Sequence, residues 1–399
     1  MPIAQKTSLE WILSGGSDVA SAEEHRRTFQ CTADHELLEL VQQFWEQERE
    51  PNAVTTLSAE EQQCEEFFVH THTRTSSGRY VVKLPFSSPI TALRETRKPA
   101  ERLLTTMERR CVQDPRFGNL YRSFMTEYED LKHMTLVTCS TTSNQSTYLP
   151  HHGVLKESSA TTKLRVVFNG SQRTRTGDSL NAHLMTGANL LPALPDVLLR
   201  WRQHQYVFVA DIEKMYRQIL VHPDDCRFQT ILWRHSTDDE VREYQLRTVT
   251  YGLACAPFLA IRTLRQLATD EEEQFPRGAV ALRRDCYVDD VVTGSNTLND
   301  AIALQMEIRN LCLAGGFPLK KWAANDERIL TGVPSDHRLQ QLPPAWVGES
   351  HSTLGLRWHP QQDQFSFVFH PHAAINHTKR TVLSETARLF DPLGGSLQS

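Results

Sequence analysis

The sequence predicts an α+β chain, and three observations lead there. Short runs of β-branched and apolar residues recur between spans with helical apolar spacing. One such run, "YVFVADIEKMYRQI" (206–219), is an apolar strand that meets Asp211 and then turns helical. Another, "CYVDDVVTG" (286–294), sets two acids side by side among β-branched residues. Adjacent carboxylates repel, and strand interiors disfavour Asp, so something must offset that cost. A tight hairpin turn is one answer and a divalent metal is the other.

Composition narrows the class. A chain of 399 residues is long enough for two or three domains and a sizeable core. Hydrophobic residues make up 39% and charged residues 23%, the balance of a soluble globular protein. The net charge of −5 carries no global basicity that would advertise a nucleic-acid partner. No apolar run approaches the roughly 18 residues of a membrane-spanning helix. The start, "MPIAQKTSLEWILSGG", has an apolar core too short for a signal peptide. Eight cysteines are scattered without a CxxC or a close pair. That spacing argues against zinc sites and disulfide frameworks and for a reducing, cytoplasmic compartment. "HTH" (His70 to His72) and "HPH" (His370 to His372) lack a third close ligand and read as strand-surface histidines.

The elements follow in order. Residues 1–30 are polar and irregular. "DHELLELVQQFWEQE" (34–48) has helical spacing at Leu37, Leu38, Val41, Phe44 and Trp45. Ser58, three residues before Glu61, is a capping-box signature for a second helix. "GRYVVKLPF" (78–86) reads as a strand ended by Pro85. Residues 94–138 read as helical, with Arg94, Arg97, Lys98, Arg102, Arg109 and Arg110 forming a basic segment. Such a segment is a solvated face or a nucleic-acid contact. The polar stretch 138–147 is the main expected domain boundary.

Beyond it, "KLRVVFNGS" (163–171) is a strand led by basic residues. Within 151–181, Lys156, Lys163, Arg165, Arg173 and Arg175 face only Glu157 and Asp178, a local charge of +3. "TYGLACAPFLAIRTLRQLA" (250–268) is a Gly/Pro turn entering a helix. "CYVDDVVTG" reads as a hairpin about the acid pair. Gly315-Gly316 stops a further helix ahead of "KKW". "STLGLRWHPQQDQFSFVF" (352–369) reads as a hairpin turning at "PQQD".

Three carboxylates, Asp211 from a strand end and Asp289 and Asp290 from a hairpin, are the ligands that can hold two divalent cations about 3.5–4 Å apart. Hard oxygen ligands suit Mg2+ or Mn2+. Lys163 and Arg165 could offset the charge of a triphosphate. Taken singly each signal has a plainer account: Asp is common in turns, and Asp211 could cap the following helix. Their combination and order are far more specific.

The ordered set "VVKLP", "YLPHHGVLKESSATTKLRVVFNGS", "FVADIEKMYRQI", "YGLACAPF", "CYVDDVVTG", "GGFPLKKW" and "TLGLRWHP" resembles the reverse transcriptase of a BEL/Pao-type LTR retrotransposon Pol polyprotein. The resemblance spans roughly residues 35–393. It implies a reverse-transcriptase-like palm and fingers with a truncated thumb, preceded by a mostly helical N-terminal segment. "TSLEWILSGG" (7–16) resembles the last strand of the polyprotein's retropepsin. No Asp-Thr/Ser-Gly occurs, so the peptidase active site is absent.

The resemblance also implies roles. Asp211, Asp289 and Asp290 would be the metal ligands for two Mg2+ (or Mn2+) ions. Tyr216 would lie under the incoming sugar and exclude a 2′-hydroxyl. Lys163 and Arg165 would hold the triphosphate, and Gly252 to Pro257 would shape the template–nucleotide pocket. Lys320 or Lys321 would protonate the leaving pyrophosphate. Leu354, Gly355 and Leu356, with Trp358, resemble the primer grip. Tyr216 could equally be a core residue and the lysines solvated. Asn169 stands where the related pattern often has Asp, and Cys255-Ala256 replaces a more polar pair.

The expected domains are 1–16, a retropepsin remnant; 17–138, a helical linker; 139–380, fingers and palm; and 381–399, the start of a truncated thumb. Expected partners are an RNA or DNA template–primer and dNTPs, with no membrane. The polyprotein's other parts (protease, RNase H, integrase) are further partners the resemblance implies, together with a place inside virus-like particles. Two other readings stand beside this one. One is a non-catalytic mobile-element remnant that at most binds nucleic acid. The other is another palm-fold nucleotidyl transferase or cyclase, against which the primer-grip-like hairpin argues.

Overall fold

The structure, a computed structural model, describes residues 3–7, 10–14, 57–88, 93, 95–138, 146–155, 164–339, 351–353 and 356–366. Side chains are described within those ranges from 57 to 339 and from 358 to 365. Two compact units divide the chain after Thr56. In the first, β1 (Ile3–Thr7) and β2 (Glu10–Ser14) form an antiparallel hairpin. The helix expected at 34–48 lies outside the described residues.

The second unit opens with α1 (Ala59–Thr71), whose N-terminus carries the predicted capping box. Ser58 Oγ accepts from the Glu61 amide, and Glu61 accepts from the Ser58 amide. His70 and His72 sit at this helix's end, not on a strand: each ring bonds a carbonyl one turn back, and His72 stacks on Phe68. Then come β3 (Thr73–Arg74) and β4 (Tyr80–Val82). The basic segment forms α2 (Arg97–Gln113) and α3 (Pro115–Asp130), split where Asp114 caps the second with Pro115 in its first turn. The helical reading of 94–138 fails at its end, because β5 (Met134–Leu136) is a strand.

Next are β6 (His151–Leu155), β7 (Leu164–Phe168), α4 (Leu194–Arg202), β8 (Tyr206–Ile212), the single turn α5 (Met215–Gln218) and β9 (Leu220–Val221). They are followed by β10 (Thr230–Trp233), β11 (Arg242–Leu246), α6 (Ala256–Asp270), α7 (Pro276–Arg284), β12 (Cys286–Tyr287) and β13 (Asp290–Ser295). The last elements are α8 (Leu298–Ala314), β14 (Leu319–Ala324) and the strands β15 (His351–Thr353), β16 (Leu356–His359) and β17 (Gln364–Ser366).

The sheet that matters for function is four-stranded and antiparallel, in the order β12-β13-β8-β14. Along a strand, alternate side chains point to opposite faces. Phe208, Ala210 and Ile212 therefore enter the main core with Leu259, Leu264 and Leu267 of α6 and Ile308 and Leu311 of α8. Val207 and Val209 enter a second cluster with Val197, Leu198 and Trp201 of α4 and with Trp358. The sheet is thus buried on both faces over most of its length.

The polar stretch 138–147 lies inside the second unit. β5 pairs with β11, and Tyr148 bridges to Thr230, so the helices before the stretch and the strands after it share one core. The β6–β7 hairpin packs on α2 and α3 at Gly153, where an added Cβ would come within 2.8 Å of the Phe117 ring. No described helix is long and apolar enough to cross a membrane.

Candidate active site

The strand periodicity that buries Val207 and Val209 puts Asp211 on their face, at the end of β8. The register of β13 sets Asp290 directly opposite Asp211, so both carboxylates share that face. Val288 and Asp289 alone join β12 to β13. Val288 has φ +58°, left-handed backbone that a β-branched residue rarely adopts. The Asp289 carbonyl accepts from the Ile212 amide at 2.7 Å, which fastens the turn to the end of β8. The end of β8 and the β12–β13 hairpin meet at this point.

Three acids at one place need positive charge. Burial pushes the Asp289 carboxyl above the usual carboxylate range, and the neighbouring Asp211 adds to the rise; Lys321 and Arg165 oppose it. Lys321 Nζ lies 2.9 Å from Asp211 Oδ2. Lys320, although paired in register with Asp211, reaches Glu213 Oε2 at 3.1 Å instead. The sequence left these two lysines as alternatives, and the structure separates them by a β-bulge between Lys320 and Ala323.

Tyr216, on the turn of helix after β8, is partly exposed and lies 5.0 Å from the Tyr251 ring. Burial and the Asp289 charge both push its hydroxyl pKa up, and its ring packs against the main core. Arg165, exposed on β7, is close enough for its charge to act on Asp289. Lys163 lies outside the described residues.

The 252–257 turn is held from two sides. Gly252 has φ +93°, and an added Cβ would meet the Phe168 carbonyl oxygen at 1.9 Å, so glycine is required there. Asn181 Nδ2 donates to the Gly252 carbonyl at 2.8 Å, and its Oδ1 accepts from the Ala254 amide at 3.0 Å. Pro257 is exposed in the first turn of α6. Glu213 and Asn181 were not foreseen. Each acts on a residue distant in sequence or across a bulge, and no local spacing signals that.

The predicted hairpin at the "PQQD" turn is present as β16–β17, and it carries Trp358. That side chain is fully buried, packs on Trp201 at 4.8 Å and donates its indole N–H to Asp363 at 2.9 Å. It packs the hairpin onto α4. Leu354 and Gly355 lie outside the described residues, and of Leu356 only the backbone is described.

Among the described residues, no three His, Cys, Asp or Glu side chains are gathered closely enough to hold a metal ion as they stand. The donor chemistry nevertheless fits hard divalent cations. The acids supply oxygen ligands only, Asp289 is half-buried beside a like charge, and Asp211 already draws a cationic side chain.

The mixed helices and sheets are consistent with an α+β reverse-transcriptase-like fold. Residues 136–322, which hold all three acids and most of the four-stranded sheet, match the family described as reverse transcriptase (RNA-dependent DNA polymerase). Among solved structures, the chain is similar to the Prototype Foamy Virus protease-reverse transcriptase CSH mutant. The identity is 10% and the TM-score 0.40, over 72% of this chain and 31% of that one. It is also similar to a foamy viral protease-reverse transcriptase in complex with double-stranded DNA. There the identity is 12% and the TM-score 0.41, over 76% of this chain and 44% of that one. The chain spans less than half the length of either structure. No curated protein matches it.

Proposed function

We propose that this chain is the RNA-directed DNA polymerase region of a BEL/Pao-type retrotransposon Pol polyprotein. The carrying observation is the cross-strand register of Asp290 with Asp211, with Asp289 on the connecting turn, inside the segment that matches the reverse transcriptase family. On this reading 1–16 is the tail of a retropepsin, 17–138 a linker, 139–380 fingers and palm, and 381–399 the start of a thumb. The element's cytoplasmic particles would be its setting.

Asp211, Asp289 and Asp290 would hold the divalent cations, Mg2+ or Mn2+. When bound, such a pair supplies Lewis acidity that favours ionisation of a primer 3′-hydroxyl and offsets charge on the leaving pyrophosphate. The chain's own groups do the rest. The Val288-Asp289 turn, tied to Ile212, fixes the acids relative to one another before substrate arrives. Arg165 stands near enough to Asp289 to meet the triphosphate of a dNTP placed there. The Tyr216 ring, backed by Tyr251, would fill the volume a 2′-hydroxyl needs. Lys321 stands on the acid face, able to give a proton to the departing pyrophosphate.

Extension of a primed RNA template with dNTPs and Mg2+ tests the reading. The wild-type chain should extend the primer, and Asp289→Asn should fall to background while staying folded. A folded wild-type chain that binds template–primer without extending it would support the non-catalytic remnant instead.

A further inference from the structure

We propose that Lys321 is an exchangeable counter-cation: its ammonium holds Asp211 in place while no divalent cation is bound and leaves that carboxylate when one binds. The proposal rests on the assignment of Asp211, Asp289 and Asp290 as the cation-binding acids.

The backbone is built to deliver this lysine. Lys320 pairs with Asp211, and Ala323 pairs with Val209, so Lys321 and Trp322 together oppose the single residue Ala210. Without that extra residue, position 321 would face Ala210 and point into the main core. The bulge instead lets Trp322 take the core place, 5.9 Å from the Phe208 ring, and turns Lys321 back to the acids. Lys321 adopts φ +54°, backbone disfavoured for an L residue, to do so. The neighbouring ammonium of Lys320 is committed to Glu213 and does not share the task.

The electrostatics explain the need. Asp289 is half-buried and carries the repulsion of Asp211. An ammonium on Asp211 removes much of that repulsion in the metal-free protein. The Lys321 side chain is 43% exposed and the Asp211 side chain 21%, so the pair is neither locked in the interior nor fully screened. A divalent cation on the Asp211 carboxylate would lie within a few ångströms of the Lys321 ammonium and repel it. Binding is therefore an exchange, and Lys321 sets the cation concentration at which the site fills. Once released, the ammonium remains on the acid face, where an anionic phosphate would meet it.

Binding of Mn2+ alone, without nucleotide or nucleic acid, reads this directly by the loss of the free-ion electron paramagnetic resonance signal. Lys321→Met keeps the aliphatic stem but removes the charge. It should bind Mn2+ about threefold to tenfold more tightly than wild type. Its metal-free melting temperature should drop, and the rise on adding saturating Mn2+ should grow. Lys321→Arg should stay near the wild-type affinity, and Lys321→Gln should repeat the Met result if Met impairs folding. Lys320→Met should change the affinity less than about twofold, since its charge sits on Glu213. Unchanged affinity in both neutral Lys321 variants overturns the proposal. Equal tightening in Lys320→Met also overturns it, because net charge alone would then be the cause. Wild-type Mn2+ binding that Asp289→Asn leaves intact overturns the acid-site assignment itself, and the proposal with it.

Discussion

Single residues carry the sharpest tests. The Phe168 carbonyl oxygen stands where any Cβ on Gly252 would be, and the φ of Gly252 is +93°. Gly252→Ala should cost roughly 2 kcal/mol or more in unfolding free energy, read by urea titration, because clash and strain act together. His151 offers a pH test. Its Nε2 donates to the Leu232 carbonyl at 2.9 Å, which leaves Nδ1 to accept from the Tyr121 hydroxyl. Burial lowers its pKa to about 4 from an ordinary 6.5, and burial lowers His133 likewise to about 4. The unfolded chain therefore takes up protons between those values while the folded one does not. Stability should be full above pH 6.5, decline between 6.5 and 4, and level off below. Each histidine should contribute a loss on the order of 2 kcal/mol at pH 5 relative to pH 7. Denaturant titrations at the two pH values should show it, with a smaller difference in His151→Asn. Tyr216→Ala, in a variant that still polymerises, should raise ribonucleotide use relative to deoxyribonucleotide use in primer extension. Unchanged discrimination would make Tyr216 a packing residue.

At the scale of elements, the hairpin turn that presents Asp289 is strained by design of its sequence. Val288 holds a positive φ without being glycine. Val288→Gly should raise the melting point, by about 1 kcal/mol of stability, because the left-handed backbone no longer opposes a β-branched side chain. The same change should lower the rate of primer extension, since a freer turn fixes Asp289 less well. A loss of stability would show that Val288's packing against the core outweighs its backbone strain. Much of this hairpin was legible in the sequence. Two acids between β-branched runs leave few placements, whereas the strand ahead of Asp211 is apolar throughout, so only its pairing shows which face the acid takes. The capping box of α1 and the turn between β16 and β17 were legible for the same reason: their signals lie within a few residues. What was not legible depends on distant partners. A bulge, not composition, sets which of Lys320 and Lys321 reaches Asp211. Burial of Trp358 depends on Trp201, and the Gly252 turn on Asn181 and Phe168. The pairing of β5 with β11 overrode a helical pattern because three residues of strand gain a ready-made edge.

At the scale of the whole molecule, the question is how a chain of net charge −5 would hold the polyanion that the proposed function requires. Charge segregation supplies an answer on α2. Ala100, Leu104 and Met107 form its buried side. Lys98, Arg102 and Arg109 are four and eleven residues apart on the opposite, exposed side. At 100° and 1.5 Å per residue, they share one line about 16 Å long. The acids of the helix are spent elsewhere: Glu101 pairs with Arg97 and Glu108 with Arg234, leaving these three outside the ion pairs of the described residues. The helix also packs on the β6–β7 hairpin, so it belongs to the same lobe as Arg165. If the line follows a phosphate backbone, each lysine or arginine releases a counterion on binding. Replacing Lys98, Arg102 and Arg109 together with Gln should weaken template–primer binding on every sequence alike. The slope of log affinity against log salt should become shallower by roughly 2 to 3. Melting should hardly change, because all three side chains are exposed. Fluorescence anisotropy of a labelled primer–template across a salt series measures both quantities. An unchanged slope would assign the line to solvation of a surface helix and move the search for the backbone track to the β6–β7 hairpin.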